Sequence, residues 1–208
     1  VMGNNIKNSN ANTNAPQDVQ KTDKPVVEAF IFSYCPYGLQ FEKALMPVYN
    51  LLKDKADINI VAIGAMHGEY EKTESLRQLC IQKNYGKDKL WAYLDKFNAN
   101  TAIGNCRGDD ACLSPLLSPI MRSLSIDKGK IESCMASDAE NLYAADGAKA
   151  SSLGISGAPT FVINGAEVQV SRTADAIKTA ICNAFTDSSK PAECSQTLST
   201  TPATPSFG

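Results

Sequence analysis

Seven cysteines and a single histidine carry most of the covalent and acid–base potential of this 208-residue chain. No two cysteines stand in a C-x-x-C spacing and one histidine is too few for the usual zinc sets, so neither a metal nor another cofactor is expected. If six cysteines pair, one thiol is left over, and Cys35 is the natural candidate. It lies in Ser33-Tyr34-Cys35-Pro36-Tyr37-Gly38, between an apolar run, Val26 to Phe32, and a stretch of helical spacing, Leu39 to Lys53. A cysteine at that junction meets the unpaired N–H groups of a helix start, whose partial positive charge favours the nucleophilic thiolate. Such a sulfur attacks disulfides and forms a mixed disulfide. An inert core cysteine is the alternative. Oxidation to sulfenic acid in a sensor is another, although no Arg and Thr pair of the peroxide-activating kind flanks Cys35. His67, in Met66-His67-Gly68-Glu69, reads as a surface residue at a helix entry rather than a base for Cys35.

The elements around Cys35 follow from periodicity. Val26 to Phe32 is apolar on both faces apart from Glu28, as in a central strand covered on both sides. Pro36 fits the first helical position, where its missing donor is not needed. Phe41, Leu45, Val48 and Leu52 form the apolar stripe of the helix, with Glu42, Lys43, Asn50 and Lys53 largely off it and Pro47 inside it as a kink. Ile58 to Gly64 is a second buried strand, joined to the first by a right-handed βαβ crossover. Helices are expected over Glu71 to Asn84, Asp88 to Phe97, Pro115 to Leu124, Lys128 to Met135 and Asp138 to Leu153, punctuated by glycines. Thr160 to Ile163 and Glu167 to Val170 flank Asn164-Gly165-Ala166 as a hairpin, and a helix from Ala174 to Phe185 follows with Thr173 as its cap.

Phe32-Ser33-Tyr34-Cys35-Pro36-Tyr37, the helical stretch after the second strand and Gly157-Ala158-Pro159-Thr160 together resemble the DsbA-type branch of the thioredoxin superfamily, over about residues 26 to 186. The resemblance implies an α/β thioredoxin fold, a central mixed sheet flanked by helices with an inserted all-helical subdomain. It also implies a cis-proline at Pro159 facing the redox cysteine; the other reading is a trans proline in a turn leading to a strand. Pro36, Tyr37, Gly38, Tyr34, Ala158 and Pro159 are then the residues expected to meet a substrate, with the Ala158 backbone offering edge hydrogen bonds to an extended chain. Met66 adds apolar surface. The run Cys80-Ile81-Gln82 and the cysteines after it are similar to GILT-like lysosomal thiol reductases. Two departures stand out. Gly38 occupies the place of the family's resolving cysteine, and Ala29, not Glu28, stands six positions before Cys35, where the family keeps an acid. A shift of one in a strand reverses the face.

The other six cysteines suit an oxidising, extracytoplasmic compartment, either periplasmic, secreted or tethered at a cell surface. Cys182–Cys194 would pin the segment after the last helix. Cys112–Cys134 would join the ends of two antiparallel helices, which leaves Cys80–Cys106; a reducible Cys80 or Cys106 that resolves Cys35 is the rival reading. A net charge of −2 and a pI of about 5.5 give no basic footprint for nucleic acid. No apolar run reaches the roughly 20 residues of a membrane span, and the first residues lack a charged, then greasy signal segment. The expected organisation is a disordered tether at 1–24, the first half of the fold at 25–64, the insertion at 65–137 and the second half at 138–186. A tail at 187–208 is expected to be pinned by a disulfide and then disordered. The function read from these features is thiol–disulfide exchange on cysteine-containing or unfolded clients through one nucleophilic cysteine, isomerase-like or resolved by a redox partner or small-molecule thiol. The rival is a non-catalytic peptide-binding or holdase module.

Overall fold

A computed structural model describes residues 18–208 of the chain. Val26–Ile31 (β1), Asp57–Ala62 (β2), Thr160–Ile163 (β3) and Ala166–Glu167 (β4) form one sheet in the order β2-β1-β3-β4. β1 and β2 are parallel, with Val26 opposite Asp57 and Ile31 opposite Ala62, and the helix Pro36–Leu52 (α1) makes the crossover between them. β3 runs antiparallel to β1. The hairpin after β3 turns through Asn164 and Gly165, both left-handed at φ 50 and 82, the pairing that a two-residue turn needs. β4 is shorter than the expected Glu167 to Val170, with one further ladder-like bond from Val168 N–H to the Phe161 carbonyl at 2.8 Å.

Alternation along β1 divides the core. Val27, Ala29 and Ile31 share the larger core with Leu45, Val48 and Leu52 of α1 and with Ile177 and Ile181 of the helix Ala174–Asn183 (α8). Phe30 and Phe32 face the other side, with Val61, Ile63 and Ala150. Each fully buried aliphatic side chain contributes about 1.5–3 kcal/mol, so this two-sided burial holds the strand that leads to Cys35.

Between β2 and β3 the chain is helical: Glu69–Tyr85 (α2), Lys87–Asn98 (α3), Thr101–Cys106 (α4), Asp110–Ser123 (α5), Lys128–Ser137 (α6) and Ala139–Ser152 (α7). Two of these correct the sequence reading. α4 was not expected. α5 starts five residues before Pro115, because Asp109 caps it by accepting the N–H groups of Ala111 and Cys112, leaving Pro115 inside the helix. The bridges change accordingly. Cys106, at the end of α4, meets Cys112 in the first turn of α5, and Cys80 of α2 meets Cys134 of α6. The expected Cys112–Cys134 and Cys80–Cys106 pairs are therefore not formed; Cys182 is joined to Cys194.

Both ends are more ordered than composition suggested. Of the tether expected at 1–24, residues 1–17 lie outside the described residues, but Thr22 bridges to Phe185 and the Asn164 side chain binds the Gln20 carbonyl and Val26 N–H. The tail is likewise packed rather than disordered. Its backbone is held by polar side chains: Asp175 accepts Leu198 N–H, Gln40 donates to the Ala203 carbonyl, and Lys43 donates to the carbonyls of Thr204, Ser206 and Gly208. Among the described residues no helix is long and apolar enough to cross a membrane.

Candidate functional site

Cys35 occupies the N-cap of α1, with extended backbone at φ −65 and ψ 124, and Pro36 begins the helix. The turn into the helix is closed by Cys35 N–H to the Phe32 carbonyl at 3.0 Å and by Leu39 N–H to the Cys35 carbonyl at 2.8 Å. Cys35 is the free cysteine of the chain and is 7% exposed. Its sulfur lies 3.9 Å from the Ala158 carbonyl oxygen. The Ala158–Pro159 peptide bond is cis. Cys35 thus belongs to the cluster of Phe32 and Ile63, with the half-buried Ile155 and Ala158 packed against it, on the sheet face opposite the main core.

The sequence-selected residues divide by exposure. Pro36 and Tyr37 form the outer rim, Tyr37 being 54% exposed with its ring 4.8 Å from the Arg172 guanidinium. Gly38 is buried, and a side chain there would begin 3.2 Å from Ile31 Cγ2 and the Phe32 carbonyl and 3.3 Å from Cys35 Cβ. Tyr34 is a correction. Instead of offering substrate surface, its ring is buried against Tyr70, Phe97 and Phe207 at centroid distances of 4.9, 5.7 and 5.5 Å. Met66, 70% exposed, lies beside an open groove of about 500 Å³ lined also by Phe32, Ile63, Ala150 and Ile155. This groove adjoins the cluster that holds Cys35.

Polar groups that sequence reasoning missed brace the loop before Cys35. Glu71, fully buried in α2, accepts Tyr34 N–H at 2.9 Å and His67 N–H at 3.2 Å, and its carboxylate lies 3.0 Å from His67 Nδ1. Its own carbonyl accepts the Ser33 hydroxyl at 2.7 Å. His67 is exposed, as its place at a helix entry suggested, and its contacts are with this brace. Further along α1, Glu42 is 1% exposed and accepts Asn98 Nδ2 at 2.8 Å, while Glu42 Oε1 and Asn98 Oδ1 have no donor. Burial pushes the Glu42 carboxyl up to about 8, with Glu74 adding to the shift and the Asn98 bond opposing it. Glu74 itself accepts Tyr93 Oη at 2.9 Å and Gln78 Nε2 at 3.0 Å and pairs with Arg77.

Glu28 points to the same sheet face as Phe30 and Phe32, pairs with Lys149 of α7 and lies opposite Asn59 and Val162 in the sheet. Ala29 faces the main core. Among the described residues no cluster of three or more His, Cys, Asp or Glu side chains has a metal-binding arrangement.

No protein-family model and no curated protein sequence matches the chain. Solved structures do. MdbA, a thiol-disulfide oxidoreductase from Actinomyces oris, superposes with a TM-score of 0.58 at 14% identity, covering 79% of this chain and 83% of its own. BdbD from Bacillus subtilis gives 0.54 at 16% identity, over 78% of this chain and 89% of its own. A thioredoxin-like oxidoreductase from Silicibacter pomeroyi gives 0.52 at 21% identity, over 77% and 86%. With its parallel β1-β2 pair, antiparallel β3-β4 hairpin and helices inserted after β2, the chain has the thioredoxin fold in its DsbA-like form.

Proposed function

We propose that the protein carries out thiol–disulfide exchange on cysteine-containing or unfolded polypeptides through Cys35 as a single nucleophile with no resolving cysteine beside it. The observation that carries this reading is the placement of the free cysteine, at a helix N-cap and across from the Ala158–Pro159 loop. The Cys35 thiolate attacks one sulfur of a client disulfide, forming a mixed disulfide and releasing the client's other sulfur as thiolate. With Gly38 in place of a second cysteine, the enzyme sulfur is released only when another thiolate attacks the client sulfur. Because Cys35 is nearly buried, a thiol already carried by the bound client is better placed than a diffusing one, which favours isomerisation over net oxidation or reduction. The Ala158 backbone supplies edge hydrogen bonds to an extended client, and Tyr37 and Met66 supply apolar contact. The thiol-disulfide oxidoreductase named among the structural relatives fits this chemistry. Three disulfides fit an extracytoplasmic location.

Reactivation of a disulfide-scrambled protein in a glutathione buffer tests the proposal. Wild type is expected to accelerate recovery and to yield a client adduct that maps to position 35, and Cys35→Ser to lose that adduct together with the acceleration. Recovery unchanged by Cys35→Ser would overturn the enzyme reading in favour of a peptide-binding module.

A further inference from the structure

The three disulfides differ in where they lie. Cys80–Cys134 is buried on both sides and ties α2 to α6 across 54 residues. Cys182–Cys194 joins a buried residue to a half-buried one. Cys106–Cys112 closes a separation of only 6 residues, and Cys112 is exposed in the first turn of α5, with Arg107, Asp109, Asp110 and Ala111 exposed around it. In the chain-entropy account the shortest loop stabilises the fold least, so this bridge is the one whose opening the protein tolerates best. The backbone it encloses is also unusual. Arg107 is held left-handed at φ 47, a conformation that a residue with a side chain adopts only where its surroundings impose it. Gly108, at φ 81, presses so closely on Tyr70 that an added Cβ would lie 2.0 Å from the tyrosine Cβ. Opening the bridge leaves the Cys80–Cys134 and Cys182–Cys194 links in place.

We propose that Cys106–Cys112 is a second redox centre, an exchangeable surface disulfide that accepts two electrons from a client dithiol. A client thiolate attacks the exposed Cys112 sulfur; the Cys106–Cys112 bond breaks and a Cys112–client disulfide forms. Cys106, the buried partner, leaves as thiolate and takes up a proton. The client's second thiolate then attacks its own sulfur in the mixed disulfide and releases Cys112, which is protonated in turn. The client has gained a disulfide, and both protons of its thiols end on Cys106 and Cys112. This is a net oxidation, which a single cysteine at position 35 cannot perform, and it needs no contribution from Cys35.

The test uses the folded Cys35→Ser chain, so that its outcome is independent of the Cys35 reading. The protein is equilibrated in buffers of graded reduced-to-oxidised glutathione ratio, quenched with acid, alkylated and mapped by mass spectrometry. The expected result is reversible alkylation of Cys106 and Cys112 together, at ratios where Cys80, Cys134, Cys182 and Cys194 stay unlabelled and Trp91 fluorescence stays native. The oxidised protein mixed with a reduced dithiol peptide is expected to yield about one equivalent of peptide disulfide, and Cys106→Ser/Cys112→Ser none. A bridge that opens only together with the other two, or only when the protein unfolds, would overturn the proposal, as would peptide oxidation that persists in the double variant.

Discussion

Glu42→Gln is expected to stabilise the protein at neutral pH and to leave it unchanged in acid. Glu42 is sealed between α1 and α3, no cation contacts it among the described residues, and its one bond comes from Asn98. Glu42 Oε1 and Asn98 Oδ1 both lack a partner and belong to the same bonded pair, so a proton on the carboxyl supplies the donor that the pair is missing. The native state therefore keeps the carboxyl protonated up to about pH 8, whereas an unfolded chain releases the proton near 4.5. Between these values the unfolded state binds fewer protons than the native one, so stability falls as pH rises, by about 1.4 kcal/mol per pH unit. The stabilisation is complete below about 4.5 and is lost towards 8. At pH 7 the accumulated loss is on the order of 3 kcal/mol. A glutamine can accept from Asn98 Nδ2 and donate to Asn98 Oδ1 without ionising, which removes that loss. Urea unfolding followed by fluorescence of Trp91, buried and stacked on Tyr49 at 4.7 Å, with the disulfides intact, should give coincident stabilities near pH 4. The variant should then pull ahead progressively towards pH 8. Curves that stay parallel across that range, or a variant less stable at pH 7, would refute the protonated pair.

Gly38→Cys should rebuild a two-cysteine site. A Cβ at position 38 would lie 3.3 Å from Cys35 Cβ, close to the roughly 3.5–4.5 Å of disulfides, at the expense of small shifts in Ile31 and the Phe32 carbonyl. After treatment with oxidised glutathione the variant's free-thiol count should fall from two to none, and two alkylatable cysteines in that material would contradict the geometry. Phe207→Ala removes a ring that packs on Tyr34 and Phe97 and against Gly104, where a Cβ would stand 2.7 Å from the phenylalanine ring. A half-buried ring should cost about 2 kcal/mol, less than the roughly 3–5 of a fully buried one. Gly104→Ala should produce a comparable loss from the other side of the contact, and thermal unfolding of both variants checks the pair.

Much of the scaffold was legible because burial on a strand or helix leaves a period. The apolar density of Val26 to Phe32, the 41-45-48-52 stripe and the Asn-Gly turn each reflect one local constraint. The position of Cys35 was legible for the same reason, since it depends on where a strand ends and a helix starts. What escaped were groups whose burial runs against their residue type. Glu42 was placed off the stripe, although 38-41-42-45-49-52 is an equally good helical face, because a carboxylate reads as solvated. Glu71 is invisible without knowing that α2 folds back over the loop before Cys35. The tail was misread because a Ser-, Thr- and Pro-rich segment has few side chains to bury, and composition does not register that its carbonyls can be held by Lys43 and Gln40 of α1. The disulfide pairing failed one step earlier. With α4 missed and α5 started too late, Cys106 and Cys112 were not seen to face each other across a short turn.

Glu71, Lys43 with its tail contacts and Phe207 act on one object, the first turns of α1 and the loop that enters them. A C-x-x-C site closes that turn covalently when oxidised; with Gly38 the closure here is made of hydrogen bonds and rings. Glu71 is the central member, because one carboxylate serves the N–H groups of both Tyr34 and His67 while Tyr34 carries the Phe207 contact. Glu71→Ala strands those two donors in or near the core, at about 1–3 kcal/mol for each one fully buried. Glu71→Gln keeps an acceptor for Tyr34 N–H and should cost roughly half as much. Since Cys35 follows Tyr34 directly, loosening the loop should also make the sulfur easier to reach, and Glu71→Ala should be alkylated by iodoacetamide several-fold faster than wild type under native conditions. An alkylation rate equal to that of wild type, in a protein destabilised as expected, would mean that Glu71 supports the fold but does not set the position of the cysteine.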